Sequence, residues 1–79
     1  GDKAKAEELF KKSLSINPDG IDPNFFYGDY LVDHERFAEA RTHLEIALKA
    51  APRPGRELAD SGRRKEISAL LEKLEKEKK

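Results

Sequence analysis

Residues 24–52 read NFFYGDYLVDHERFAEARTHLEIALKAAP, and the second half of that stretch echoes an earlier part of the chain. Ala40, Leu44, Ala47, Leu48 and Pro52 repeat Ala6, Phe10, Ser13, Leu14 and Pro18 at a constant offset of 34 residues. Apolar offsets of three and four make each occurrence a helical stripe. A fixed period of this length marks a stacked helical array, because one helical hairpin is too small to bury its apolar face alone and uses its neighbour instead. The expected fold is all-α, and an array of this kind implies binding rather than chemistry.

Working outward, a first helix is expected over about Asp2–Ile16, with Ala6, Leu9, Phe10, Ser13, Leu14 and Ile16 on one face and Lys5, Glu8, Lys12 and Ser15 opposite. Asn17-Pro18-Asp19-Gly20 ends it, since a residue before proline avoids the helical region and glycine tolerates the turn. Asp22 ahead of Pro23 reads as an N-cap, so the second helix is expected from Pro23 to about Asp33. After the polar break Asp33-His34-Glu35-Arg36 a third helix carries the stripe Phe37, Ala40, Leu44, Ala47, Leu48 and Ala51, and pairs with the second as an antiparallel hairpin. Gly28 costs its helix about 1 kcal/mol relative to Ala, which points to close helix–helix packing there. Beyond Pro52-Arg53-Pro54-Gly55-Arg56 a last helix begins between Glu57 and Gly62 and runs to about Glu75. Either it is a degenerate opening helix of a next unit, with Gly62 lying 34 residues beyond Gly28, or Asp60 or Ser61 caps a separate helix whose apolar face is Ile67, Leu70, Leu71 and Leu74. In both versions it covers the end of the array.

The residues Y-G-x2-L at Tyr27, Gly28 and Leu31, the aromatic Phe37, and A-x3-L-x2-A-x4-P at Ala40, Leu44, Ala47 and Pro52 resemble the tetratricopeptide repeat. Asn24 stands where that pattern has Trp, and Leu44 where it has Phe. The resemblance divides the chain into the second half of a repeat (1–20, with Ala6, Phe10 and Pro18), a full repeat (21–54) and a capping helix or degenerate repeat (55–79). It implies hairpins stacked into part of a right-handed superhelix, working as a protein–protein interaction scaffold with a concave surface for a peptide or protein. A second resemblance, carried by R-P-G-R at residues 53–56 and the helix after it, is to the bacterial tetratricopeptide component of tripartite ATP-independent periplasmic transporters. It would imply a periplasmic role in ligand delivery, where the first reading leaves a cytoplasmic location as the default.

The family's concave face comes mainly from the first helix of each hairpin, which here offers Asp22, Phe25, Phe26, Asp29, Val32 and Asp33 as outward positions. This acidic and aromatic stripe suits a basic or mixed basic and apolar segment. The family's clamp for acidic C-termini uses Lys and Asn where Phe25 and Asp29 stand, so such ligands are not expected. The residues Leu9, Phe10, Ser13 and Leu14 form a face that its missing hairpin partner would cover, and self-association through the first helix is expected there.

Sixteen basic and sixteen acidic side chains cancel, giving no global electrostatic case for nucleic acid or an anionic surface. Arg53, Arg56, Arg63, Arg64 and Lys65 form the one basic cluster, interleaved with Glu57, Asp60 and Glu66. There is no cysteine, and no apolar run long enough to span a bilayer. Asp29 and Asp33 lie one turn apart, and His34 and His43 fall on no metal-binding spacing. No serine sits in a nucleophile motif and no glycine-rich phosphate loop exists. Neither enzymatic activity, metal nor cofactor is expected. A chain that starts with Gly1 in mid-repeat is expected to be a segment of a longer protein.

Overall fold

The computed structural model describes residues 2–77, which form four α-helices and no strand: α1 (Asp2–Ile16), α2 (Ile21–Asp33), α3 (Phe37–Leu48) and α4 (Glu57–Glu77). Interacting pairs fix their directions. Across α2 and α3, Asn24 meets His43, Tyr27 meets His43 and Gly28 meets Leu44, so residues equidistant from the turn face each other and the helices run antiparallel. Phe10 on Tyr27 and Tyr30 does the same for α1 and α2. Arg41 to Glu75 and Arg64 to the Ala50 carbonyl do so for α3 and α4. Helices α2 and α4 lie side by side and parallel, with Arg63 beside Asp22 and Phe25 at their N-terminal ends.

The core is unevenly shared. Ile21, Phe25, Tyr27, Leu31 and Val32 of α2, Ala40, Leu44 and Ala47 of α3, and Ile67 and Leu74 of α4 are buried. Helix α1 touches α2 alone among the helices and contributes only the partly buried Phe10 and Leu14. Leu9 and Ile16, expected on its apolar face, are exposed because nothing covers α1 on the side away from α2. The result is a flat body of 37 × 30 × 15 Å.

Two expected helix boundaries are corrected, and the caps offered as one alternative for α4 are not used. Helix α2 begins at Ile21, and its N-cap is Gly20 rather than Asp22. The Gly20 carbonyl accepts from the Asn24 N–H and again from Asn24 Nδ2, at 2.9 Å, so the first turn closes one residue before Asp22. Pro23 then occupies the third helical position, where a missing N–H is still free of cost. Helix α3 stops at Leu48, leaving Ala51 outside it and exposed. Helix α4 is continuous from Glu57, and Asp60 lies within its first turn as a buried ion-pair partner, so neither Asp60 nor Ser61 is a cap.

The α2–α3 turn shows why the polar break is so short. The N–H of Arg36 bonds to the Leu31 carbonyl at 2.9 Å and that of Glu35 to Val32 at 3.0 Å, the two bonds of a Schellman cap. Glu35 takes the left-handed conformation this cap requires, at φ 59°, a region that favours glycine.

Candidate functional site

The six outward positions of α2 separate into two groups. Phe25 and Val32 are core residues, not surface ones: both are buried, and Arg63 of α4 lies over the Phe25 ring. Asp22, Phe26, Asp29 and Asp33 remain accessible in whole or part. Phe26 is the most prominent apolar member at 45% exposure. The Arg63 guanidinium sits 4.5 Å from the Phe25 ring centroid and 4.9 Å from that of Phe26, so one cation caps two adjacent rings. Asp22 is ion-paired with Arg63 at 3.3 Å and Arg53 at 3.6 Å, which neutralises the stripe at its N-terminal end.

Further along, the charge of the stripe persists. Burial, then the neighbouring Asp33 carboxylate, raises the Asp29 pKa above its ordinary value; Lys73 of α4 opposes this and Glu66 adds to it. A cationic group docking at Asp29 and Asp33 would relieve that strain, whereas an anionic one would add to it. The accessible face is thus an exposed ring followed by two carboxylates one turn apart, bordered by Arg63, Glu66 and Lys73 of α4.

Polar ties hold this face in place, and sequence reasoning missed the two most important. Asn24 is fully buried: Nδ2 donates to the Pro18 and Gly20 carbonyls at 2.9 Å each, and Oδ1 accepts from His43 Nδ1 at 2.8 Å. His43 therefore carries its proton on Nδ1, and burial lowers its pKa below the usual histidine range. The second tie joins Arg53 and Asp60. Asp60 is 1% exposed, and its carboxylate accepts from the Arg53 backbone N–H at 3.2 Å and from Nε at 3.0 Å, with the Arg53 Nη2 in closer contact. The hydrogen bond from the Arg53 side chain holds the Asp60 carboxyl below its usual value against the opposing effect of burial. A third tie fastens α1. Glu7 accepts from the Tyr27 hydroxyl at 2.6 Å and pairs with Arg36 at 2.9 Å, which lowers its pKa to about 2, while burial and then Glu7 push Tyr27 up to about 12.

The basic cluster is largely occupied by the fold itself. Arg53 and Arg63 are ion-paired, and Arg64 donates to the Ala50 carbonyl, leaving Arg56 and Lys65 exposed. Among the described residues no group of three potential ligands could hold a metal ion, and no helix is long and apolar enough to cross a membrane. A hollow of about 220 Å³ beside Gly20 and Arg53 is smaller than the ~300–1,000 Å³ usual for small-molecule sites. A second, of about 520 Å³, lies open between Leu48 and the Ser61–Ser68 stretch of α4.

Most signature residues of the 34-residue pattern are packed: Tyr27, Gly28, Leu31, Ala40, Leu44 and Ala47 are buried, Ala6, Phe10 and Phe37 partly so, and Pro18 and Pro52 are exposed. A Cβ built on Gly28 would lie 2.7 Å from Leu44 Cδ2 and 2.8 Å from Cγ, so this glycine permits the close approach of α3. Comparison with protein-family models, curated proteins and solved structures finds no match for the chain.

Proposed function

We propose that this chain is a tetratricopeptide-like binding module that holds a basic or mixed basic and apolar peptide segment of a partner protein along α2. The reading is supported by the 34-residue period, by antiparallel neighbours that place α2 and α4 parallel, and by Gly28 accepting Leu44. The observation that carries the ligand chemistry is the row Phe26, Asp29 and Asp33. There an exposed ring stands beside two carboxylates, one of which burial and its neighbour hold with a raised pKa. The ring supplies contact area, and the carboxylates supply charge-assisted hydrogen bonds to Lys or Arg.

A peptide array probed with the chain tests this directly. Segments combining Lys or Arg with Leu or Phe should be enriched, Phe26→Ala should weaken capture, and Asp29→Lys with Asp33→Lys should abolish it. Enrichment of peptides ending in acidic residues would overturn the assignment.

A further inference from the structure

The 34-residue register assigns to each residue of the α2–α3 contact a counterpart elsewhere in the chain, on α4 for α2 and on α1 for α3. Asn24 and His43, which hydrogen-bond across the contact, correspond to Leu58 and Leu9. These two are the strongly exposed leucines of the described chain, at 88% and 62%. Gly28 and Leu44, glycine and the side chain it admits, correspond to Gly62 and Phe10. Nothing lies within 4 Å of a Cβ built on Gly62, and Phe10 is only partly buried, with its covered side against Tyr27 and Tyr30 of α2. The polar pair is thus replaced on both sides at once by an apolar pair, and the glycine and large-residue pair is kept.

The surface of α4 has a place for such a partner. The hollow of about 520 Å³ is lined by Leu48, Ser61, Arg64, Lys65 and Ser68. Ser61 and Lys65 are the 34-residue counterparts of Tyr27 and Leu31, residues of α2 in the α2–α3 hairpin, where the Tyr27 ring packs against His43 of α3. On α4 no helix among the described residues fills the corresponding place.

We propose that a second copy of this chain fills it, inserting its α1 against α4 as α3 is set against α2, with Leu9 on Leu58 and Phe10 over Gly62. This rests on the repeat register that also underlies the binding-module reading, but it uses the ends of the array and leaves the α2 face free. The two surfaces differ, so the contact is head-to-tail: each copy offers one α1 and one α4, and association continues past the dimer.

Sedimentation of the intact chain up to about 1 mM, with exposed-site variants whose helicity is checked by circular dichroism, tests the proposal. Leu58→Glu and Leu9→Glu should each weaken self-association roughly a hundredfold, since each would bury an unpaired carboxylate. Mixing the two variants should restore a single heterologous contact and stop at a 1:1 dimer, because one variant keeps its α1 and the other its α4. The double variant Asp29→Lys, Asp33→Lys should associate like the parent, which separates this surface from the peptide-binding face. A strict monomer over the whole range overturns the proposal while leaving the peptide reading standing. Undiminished association of Leu58→Glu, or failure of the mixture to dimerise, overturns the α1-on-α4 geometry.

Discussion

The same substitution at two glycines 34 residues apart should change stability in opposite directions. Both Gly28 and Gly62 lie inside helices, so replacing either by Ala removes a helix penalty of about 0.8–1 kcal/mol. At Gly62 the new methyl meets nothing within 4 Å, and the full benefit should appear. At Gly28 it would sit 2.7 Å from Leu44 Cδ2 and 2.8 Å from Cγ, with the Ala40 carbonyl oxygen at 3.6 Å. Carbon atoms prefer about 3.5–4.0 Å, so Leu44 would have to retreat by close to 1 Å. Leu44 is fully buried among α2, α3 and α4 side chains, and overpacking of such a site costs about 1–3 kcal/mol. Net destabilisation of up to about 2 kcal/mol is expected for Gly28→Ala, against a gain near 1 for Gly62→Ala. For a domain of this size each kcal/mol moves the thermal midpoint by roughly 4–8 °C, so Gly62→Ala should melt at least ~4 °C above Gly28→Ala. Urea titrations followed by far-UV circular dichroism measure the free energies, and a Leu44→Ala background supplies the control. Leu44→Ala alone leaves a cavity, and adding Gly28→Ala should then stabilise, giving a coupling energy between the two sites. Equal stabilisation by both glycine replacements, or a Gly28→Ala penalty that survives removal of Leu44, would refute the packing argument.

Other expectations follow from single residues. Glu35→Gly should raise stability by about 0.5–1 kcal/mol in thermal or urea unfolding, because glycine takes the φ 59° of the Schellman cap without a Cβ clash. His43 has a folded-state pKa below its ordinary 6.5, so as pH falls through that value the unfolded chain takes up a proton that the folded chain resists. The melting midpoint should therefore decline as pH falls from about 7.5 through about 6.5 towards the lower folded-state pKa, and His43→Gln should flatten that slope. Arg53→Ala should lower the midpoint more than Arg56→Ala, since it strands the Asp60 carboxylate in the core, and NMR titration should show the Asp60 pKa rising. Equal melting of the two arginine variants would show that the Asp60 pair does not hold the α3–α4 connection.

Periodicity made the apolar skeleton legible. Offsets of three and four located α1 over Asp2–Ile16 as observed, and the stripe from Phe37 to Ala51 located α3, which stops at Leu48. Close helix packing at Gly28 was readable because a mid-helix glycine carries a penalty that close packing compensates, but its partner Leu44 was not. The helix ends were less legible. Asp22-Pro23 has the composition of a cap, but the competing acceptor is the Gly20 carbonyl, engaged by an Asn24 side chain whose direction no local pattern gives. Asp60 similarly resembled a cap by residue type, yet its partner Arg53 reaches it across a loop. The candidate face was half legible for a related reason. Helical spacing gives the direction of Phe25 and Val32 about α2, but not whether other elements cover them; both are buried, Phe25 under Arg63 of α4.

The tie between Asn24 and His43 has a feature that sequence alone could have flagged. Asn24 replaces an expected aromatic, and His43 falls where the earlier helix has Leu9, so two polar residues enter an apolar register together. A single polar intrusion into a packed hairpin costs about 1–3 kcal/mol when unsatisfied, whereas a matched pair that hydrogen-bonds loses little. Simultaneous departures at positions that face each other are therefore evidence of contact, and the structure has that contact at 2.8 Å. The converse holds at Leu9 and Leu58, where both members are apolar and both are exposed. Leucine pairs gain free energy by excluding water, and within the described residues this contact is not made. Asn24–His43 also shows what specificity such a site can have. A copy presenting Leu9 to Asn24, or His43 to Leu58, would bury a polar group without a partner, so α1 of a second copy is matched to α4 and mismatched to α2.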